Sequence, residues 1–197
     1  MTQKKLSMKN IEIELRALID EDKFVELKNF LAKNSENLGE DNKDTYFFLF
    51  PDKLLKVTNN ISKKSAKITL KLNKIGSGSD FKEIEILINP KDVDNMVTAF
   101  KLIGLSNNQY SFQFRHNYIY KGIEIAVKYT QSWGFHVELE IMIGEEDDED
   151  YAKNRIVNVA KELNLSIMSD KELKDFTQKI DNGWNRGKYT KENFKAS

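Results

Sequence analysis

Asn10-Ile11-Glu12-Ile13-Glu14-Leu15-Arg16 alternates strictly between polar and apolar residues. In a β-strand that period of two puts Glu12, Glu14 and Arg16 on one face and Ile11, Ile13 and Leu15 on the other. Glutamates two apart on a strand stand about 7 Å from each other and can hold a hard divalent cation between them. The pattern recurs as Glu83-Ile84-Glu85-Ile86 and Glu138-Leu139-Glu140-Ile141. One such strand carries little information. Three in one chain predict a sheet with a repeated carboxylate-bearing face.

Working outward, strand alternation is read at 10–17, 44–50, 53–59, 65–73, 81–89, 110–120, 123–131 and 135–143. Pro51-Asp52, Ile75 to Ser79 and Lys121-Gly122 read as turns, so most strands are joined as antiparallel hairpins. Helical stripes interrupt them. Phe24, Leu27, Phe30 and Leu31 follow Asp20, and Val93, Met96, Val97 and Phe100 follow Asn89-Pro90. Tyr151, Ile156, Val159, Ala160 and Leu163 form a third, and Leu173, Phe176 and Ile180 a fourth behind a Ser169/Glu172 capping box. The acidic run 145–150 reads as a solvated loop entering the third helix.

The polar strand faces carry Glu12, Glu14 and Arg16; Lys56 and Thr58; Lys67, Thr69 and Lys71; Glu83 and Glu85; Gln113 and Arg115; Glu124 and Lys128; and His136, Glu138 and Glu140. Four amphipathic helices need an apolar surface to cover, which leaves these polar faces to turn towards one another. The expected fold is therefore α+β: an eight-stranded, mostly antiparallel closed barrel with a polar lumen and flanking helices. Carboxylates there suit a metal ion, and lysines and arginines suit phosphate oxygens.

A chain of 197 residues is expected to form one domain, residues 1–182, followed by a polar tail, 183–197, that frays apart from what Trp184 pins. Charges balance, with 31 basic and 31 acidic residues, which argues against a broad nucleic-acid-binding surface. Without cysteine there is no thiol nucleophile, disulfide or thiolate metal site, and two histidines leave little for an all-histidine one. No apolar leader or membrane-length segment is read, so a cytoplasmic location away from membranes is expected, as a monomer or homodimer.

In order and spacing, these motifs resemble the CYTH superfamily, or triphosphate tunnel metalloenzymes, which includes class IV adenylyl cyclases, thiamine triphosphatases and inorganic triphosphatases. Glu12 to Arg16 is similar to the family's Glu-x-Glu-x-Lys, with Arg16 at the Lys position. Leu54-Leu55-Lys56-Val57-Thr58, Ile68-Thr69-Leu70-Lys71, Glu83-Ile84-Glu85, Gln113-Phe114-Arg115 and Trp133 to Glu140 resemble its later strands. Glu172 to Phe176 falls where members often carry a final helix. The resemblance implies that Glu12, Glu14, Glu138 and Glu140 hold Mg²⁺ or Mn²⁺ and serve catalysis. It implies that Arg16, Lys56, Lys71 and Arg115 grip the triphosphate. Lys67, Lys128, Glu83 and Glu85, on the same polar faces, complete the candidate substrate site.

Three positions depart from the family pattern: Lys128 replaces an Asp that many members have, Thr58 an Arg, and Gln113 a Lys. A cation at Lys128 repels a nearby metal ion, so one metal or an altered substrate is expected. Three functions follow. The first is metal-dependent hydrolysis of inorganic triphosphate, thiamine triphosphate or a nucleoside triphosphate. The others are cyclisation of ATP to cyclic AMP and polyphosphate or nucleotide binding without turnover. His136 reads either as a general base or as a hydrogen-bonded wall residue. Trp133 reads either as a stacking platform or as a rim.

Overall fold

The alternation at residues 11–18 does form a strand, the first of nine among the described residues. The computed structural model describes residues 11–71, 83–144 and 147–194. The strands are β1 (Ile11–Leu18), β2 (Glu36–Glu40), β3 (Lys43–Leu49), β4 (Leu54–Asn60), β5 (Ser65–Lys71), β6 (Glu83–Ile88), β7 (Asn108–Tyr120), β8 (Ile123–Thr130) and β9 (Gly134–Ile143). The helices are α1 (Glu21–Asn34), α2 (Val93–Leu102), α3 (Glu149–Glu162) and α4 (Asp170–Asp181). All four begin where the apolar stripes predict. Asp20 and Asp148 cap α1 and α3 by accepting from Lys23 N and Tyr151 N, and Ser169 and Glu172 form the reciprocal capping box of α4. The expected turn at Ile75 to Ser79, and Glu145 and Glu146, lie outside the described residues.

The strands form one antiparallel sheet in the order β1-β9-β8-β7-β3-β4-β5-β6. The ninth strand, β2, pairs with the C-terminal half of β7, while β3 pairs with its N-terminal half. The handover occurs at Arg115, whose carbonyl accepts from Asp41 N at 2.8 Å and whose N–H donates to Asn42 Oδ1 at 3.0 Å.

The expected closure into an eight-stranded barrel is not present in the pairing. Among the described residues the ladder runs from β1 to β6, and no pairing joins its ends. Part of the free edge of β1 is already used: Ala17 bridges Ile167, and Arg16 O accepts from Met168 N at 2.8 Å. A closed barrel needs a continuous hydrogen-bonded register between first and last strands. That stretch of β1 cannot supply it.

The apolar back of the sheet carries two clusters. Phe24, Leu27 and Leu31 of α1 and Ile156, Val159 and Ala160 of α3 pack on Tyr118, Ile125, Val127, Val137 and Leu139. Val93 and Val97 of α2 pack on Phe48, Val57, Ala66 and Ile68. Burying each of the Val, Leu, Ile and Phe side chains among these removes apolar area worth about 1.5–3 kcal/mol.

Residues 184–194, within the tail expected to fray from its polarity, are instead anchored to the sheet. Arg186 donates to the carbonyls of Ile19 (2.6 Å), Phe135 (2.9 Å) and Trp133 (3.2 Å). Tyr189 N and O both bond the Tyr129 hydroxyl, and Phe194 stacks on the Tyr129 ring at 4.4 Å. A few aromatic and Arg anchors outweigh the polar composition of the rest.

Candidate functional site

Register alone assembles the site, because residues directly opposite in a ladder share a face. Arg16 is opposite Glu138 and Glu14 opposite Glu140 across β1 and β9. Glu124 is opposite Glu140 and Lys128 opposite His136 across β8 and β9. Arg115 is opposite Lys128 across β7 and β8. On the far strands Lys56 faces Thr69, Thr58 faces Lys67, and Thr69 faces Glu85. One face thus carries the charged residues from β1 to β6.

Glu138 is the hub. Its carboxylate accepts from Lys128 Nζ at 2.7 Å, Arg16 Nε at 3.3 Å and Arg115 Nη1 at 3.4 Å. Burial alone pushes this carboxyl up, but Lys128 and then Arg16 outweigh it and hold Glu138 well below the usual carboxylate range. Burial pushes the Lys128 ammonium down against the pull of Glu138. Arg115 also reaches Glu124 (3.4 Å), Glu140 (3.7 Å) and Asn117 Oδ1 (2.6 Å).

Beside this hub, Glu12, Glu14 and Glu140 each offer a carboxylate oxygen, and these oxygens all lie within 4.8 Å of one another. Glu14 Oε1 is buried and has no hydrogen bond, although Arg16 Nη2 lies 2.8 Å away. Burial, reinforced by Glu138, pushes the Glu14 carboxyl up. Burial likewise raises Glu140, opposed by Arg115. Three converging carboxylates, one with a buried oxygen that accepts no hydrogen bond, fit a hard divalent cation, which prefers oxygen ligands. Glu138, expected in the same ligand set, instead points at the three cations.

The chain matches the CYTH domain over residues 10–172. The chain belongs to the CYTH family. None of the curated proteins matches it. Among solved structures, a conserved hypothetical protein from Pyrococcus furiosus is 26% identical, with a TM-score of 0.59 over 79% of this chain and 91% of that one. A putative adenylyl cyclase from Hippeastrum, described as having a dominant triphosphatase activity, is 15% identical, with a TM-score of 0.58 over 81% and 90% of the two chains. A putative adenylate cyclase from Vibrio parahaemolyticus is 18% identical, with a TM-score of 0.53 over 92% and 96%. At those identities the last two show the fold alone.

Within this CYTH domain, seven of the expected site residues form one contacting group: Glu12, Glu14, Arg16, Arg115, Lys128, Glu138 and Glu140. Lys56, Lys67, Lys71 and Glu85 lie on the same face but on β4 to β6, where Lys67 pairs with Glu85. Glu83 pairs with Lys71 in register, and its side chain lies outside the described residues. Two participants were not among the expected site residues, Glu124 and Asn117. Both share the parity of residues that were, Lys128 and Arg115, and that parity was the available signal.

His136 is buried, and its Nδ1 lies 2.9 Å from Gly134 O. Burial, with help from Lys128, pulls its imidazole down to about 3, so it is neutral at pH 7 and fits the wall reading. Trp133 packs on Phe176 (4.8 Å) and His136 (5.2 Å), with the Arg16 guanidinium 5.8 Å over its ring. Its surroundings suit a rim that joins α4 to the site. No helix is long and apolar enough to cross a membrane, among the described residues.

Proposed function

We propose that this CYTH domain binds a small triphosphate on its charged face and hydrolyses it with Mg²⁺ or Mn²⁺. The observation that supports the reading is the Glu12, Glu14 and Glu140 carboxylate cluster beside Arg16, Arg115 and Lys128. A cation there supplies charge neutralisation and a water of lowered pKa. Arg16, Arg115 and Lys128 bind phosphate oxygens at one end, and Lys56, Lys67 and Lys71 bind them at the other. This requires the sheet to curl so that β4 and β5 face β8 and β9, the tunnel arrangement expected from the sequence. Because such phosphoryl transfer rests on positioning and charge neutralisation, the protein needs no nucleophile of its own.

The test is phosphate release from tripolyphosphate, thiamine triphosphate and nucleoside triphosphates, with Mg²⁺, Mn²⁺ or chelator. Metal-dependent release is expected, and Glu14→Gln lowers kcat/KM by at least about 100-fold. Cyclic AMP and pyrophosphate from ATP would replace hydrolysis by cyclisation. Tight tripolyphosphate binding with no turnover of any substrate would leave a binding protein.

A further inference from the structure

Five carboxylates (Glu12, Glu14, Glu124, Glu138 and Glu140) meet three cations (Arg16, Arg115 and Lys128) in one contacting group. Fully ionised, the group carries two negative charges in excess, the charge of one divalent cation. The cations a phosphate needs are already committed. Lys128, Arg16 and Arg115 all hold Glu138, which is 8% exposed. An incoming polyanion that takes these cations strands Glu138 as a buried, unpaired carboxylate, and such a group is costly. The same polyanion adds charge to a cluster that is already negative. Glu138 sits two residues from Glu140 on the same strand face and beside the Glu14–Arg16 pair, at the border of the three-carboxylate cluster.

We propose that Glu138 is an exchangeable internal anion: it occupies the phosphate-binding cations until triphosphate displaces it, and then turns to the divalent cation. Cation and triphosphate therefore bind cooperatively, and the triphosphate binds poorly alone. This inference rests on the triphosphate reading above.

The experiment is calorimetric titration of the full chain with inorganic tripolyphosphate, in chelator and with Mn²⁺ at matched free tripolyphosphate, for wild type and Glu138→Gln. Wild type is expected to bind about tenfold more weakly in chelator than with Mn²⁺. Glu138→Gln, which cannot compete as an anion, is expected to bind about tenfold more tightly than wild type in chelator, with most of the coupling gone. Equal wild-type affinity in the two buffers, or a Glu138→Gln no tighter than wild type in chelator, overturns the exchange. If circular dichroism shows Glu138→Gln unfolded, the wild-type comparison decides. Metal-dependent turnover with metal-independent binding overturns this inference alone. Neither binding nor turnover by wild type with Mn²⁺ overturns the triphosphate reading as well.

Discussion

Lys128 sits where the sequence leaves its role open, because a cation beside a candidate metal site is repulsive unless something neutralises it. Glu138 does so at 2.7 Å, with the Lys128 side chain only 9% exposed. Removing one partner of a buried pair strands the other, at a typical cost of about 3–5 kcal/mol. Arg16 and Arg115 still contact Glu138 when Lys128 is gone, so the lower end applies. Lys128→Met is therefore expected to lose about 3 kcal/mol in urea unfolding. Lys128→Met combined with Glu138→Leu should recover much of that loss, since replacing both charges with apolar groups removes the stranded carboxylate. A double variant no more stable than the single one would show that Lys128 contributes through packing.

Among the elements, the strands with clean alternation and the helices with caps were legible because local pattern and tertiary environment agree there. β2 was not. Glu36-Asn37-Leu38-Gly39-Glu40 has low strand propensity, and Gly39 takes a φ of +83° at a register shift against β7. It is a strand because β7 is 13 residues long and β3 covers only part of its edge. Closure of the sheet was illegible for a similar reason. Nothing in the alternation of β1 reports that Ile167 and Met168 use its free edge. At the site, parity located the charged face, yet side-chain pairing within it, above all Glu138 with three cations, depends on which long side chains meet. The β2–β3 junction is fixed by Asp41, which is buried, accepts from Asn60 Nδ2 at 2.6 Å and contacts Lys43 at 2.5 Å. Burial pushes its carboxyl up, but the Lys43 and Asn60 hydrogen bonds outweigh that and hold it at about 2. A depressed carboxyl stabilises the fold above its unfolded pKa of about 4, and that contribution is lost as pH falls through the folded value. Wild-type stability should thus fall between about pH 4 and pH 2, more steeply than in Asp41→Asn, which lacks this titration. Chemical denaturation across that window checks it, and parallel curves for the two proteins would count against Asp41 as the anchor.

At the scale of the whole molecule, the C-terminal segment ties together strands that are distant in sequence. Arg186 joins the end of β1 to the start of β9, Tyr189 seats on Tyr129 of β8, Phe194 packs on Phe114 of β7, and Lys191 pairs with Asp44 of β3. Each anchor on β7 to β9 sits one residue from a polar position on the opposite face: Phe135 beside the neutral His136, Tyr129 beside Lys128, Phe114 beside Arg115. The segment therefore braces the back of the strands whose fronts hold Glu138, Lys128 and Arg115, and loosening it should loosen the site. Gly187 offers the most selective way to do so. A Cβ there would lie 2.6 Å from the Tyr129 hydroxyl, 2.7 Å from Thr130 O and 2.8 Å from Gln131 O, two of them backbone atoms that cannot swing aside. Gly187→Ala is expected to cost about 1–3 kcal/mol through this overpacking and to speed amide exchange in the back-face partners of the segment, Tyr129 and Phe135. Truncation after Asn185 should do the same more strongly, exposing Phe24, Phe114, Tyr129 and Phe135 that Phe194 now covers. Exchange rates at Lys128 and Glu138 distinguish a brace from a passive cover. A brace raises them together with the back-face rates, whereas a cover leaves the charged face as protected as before.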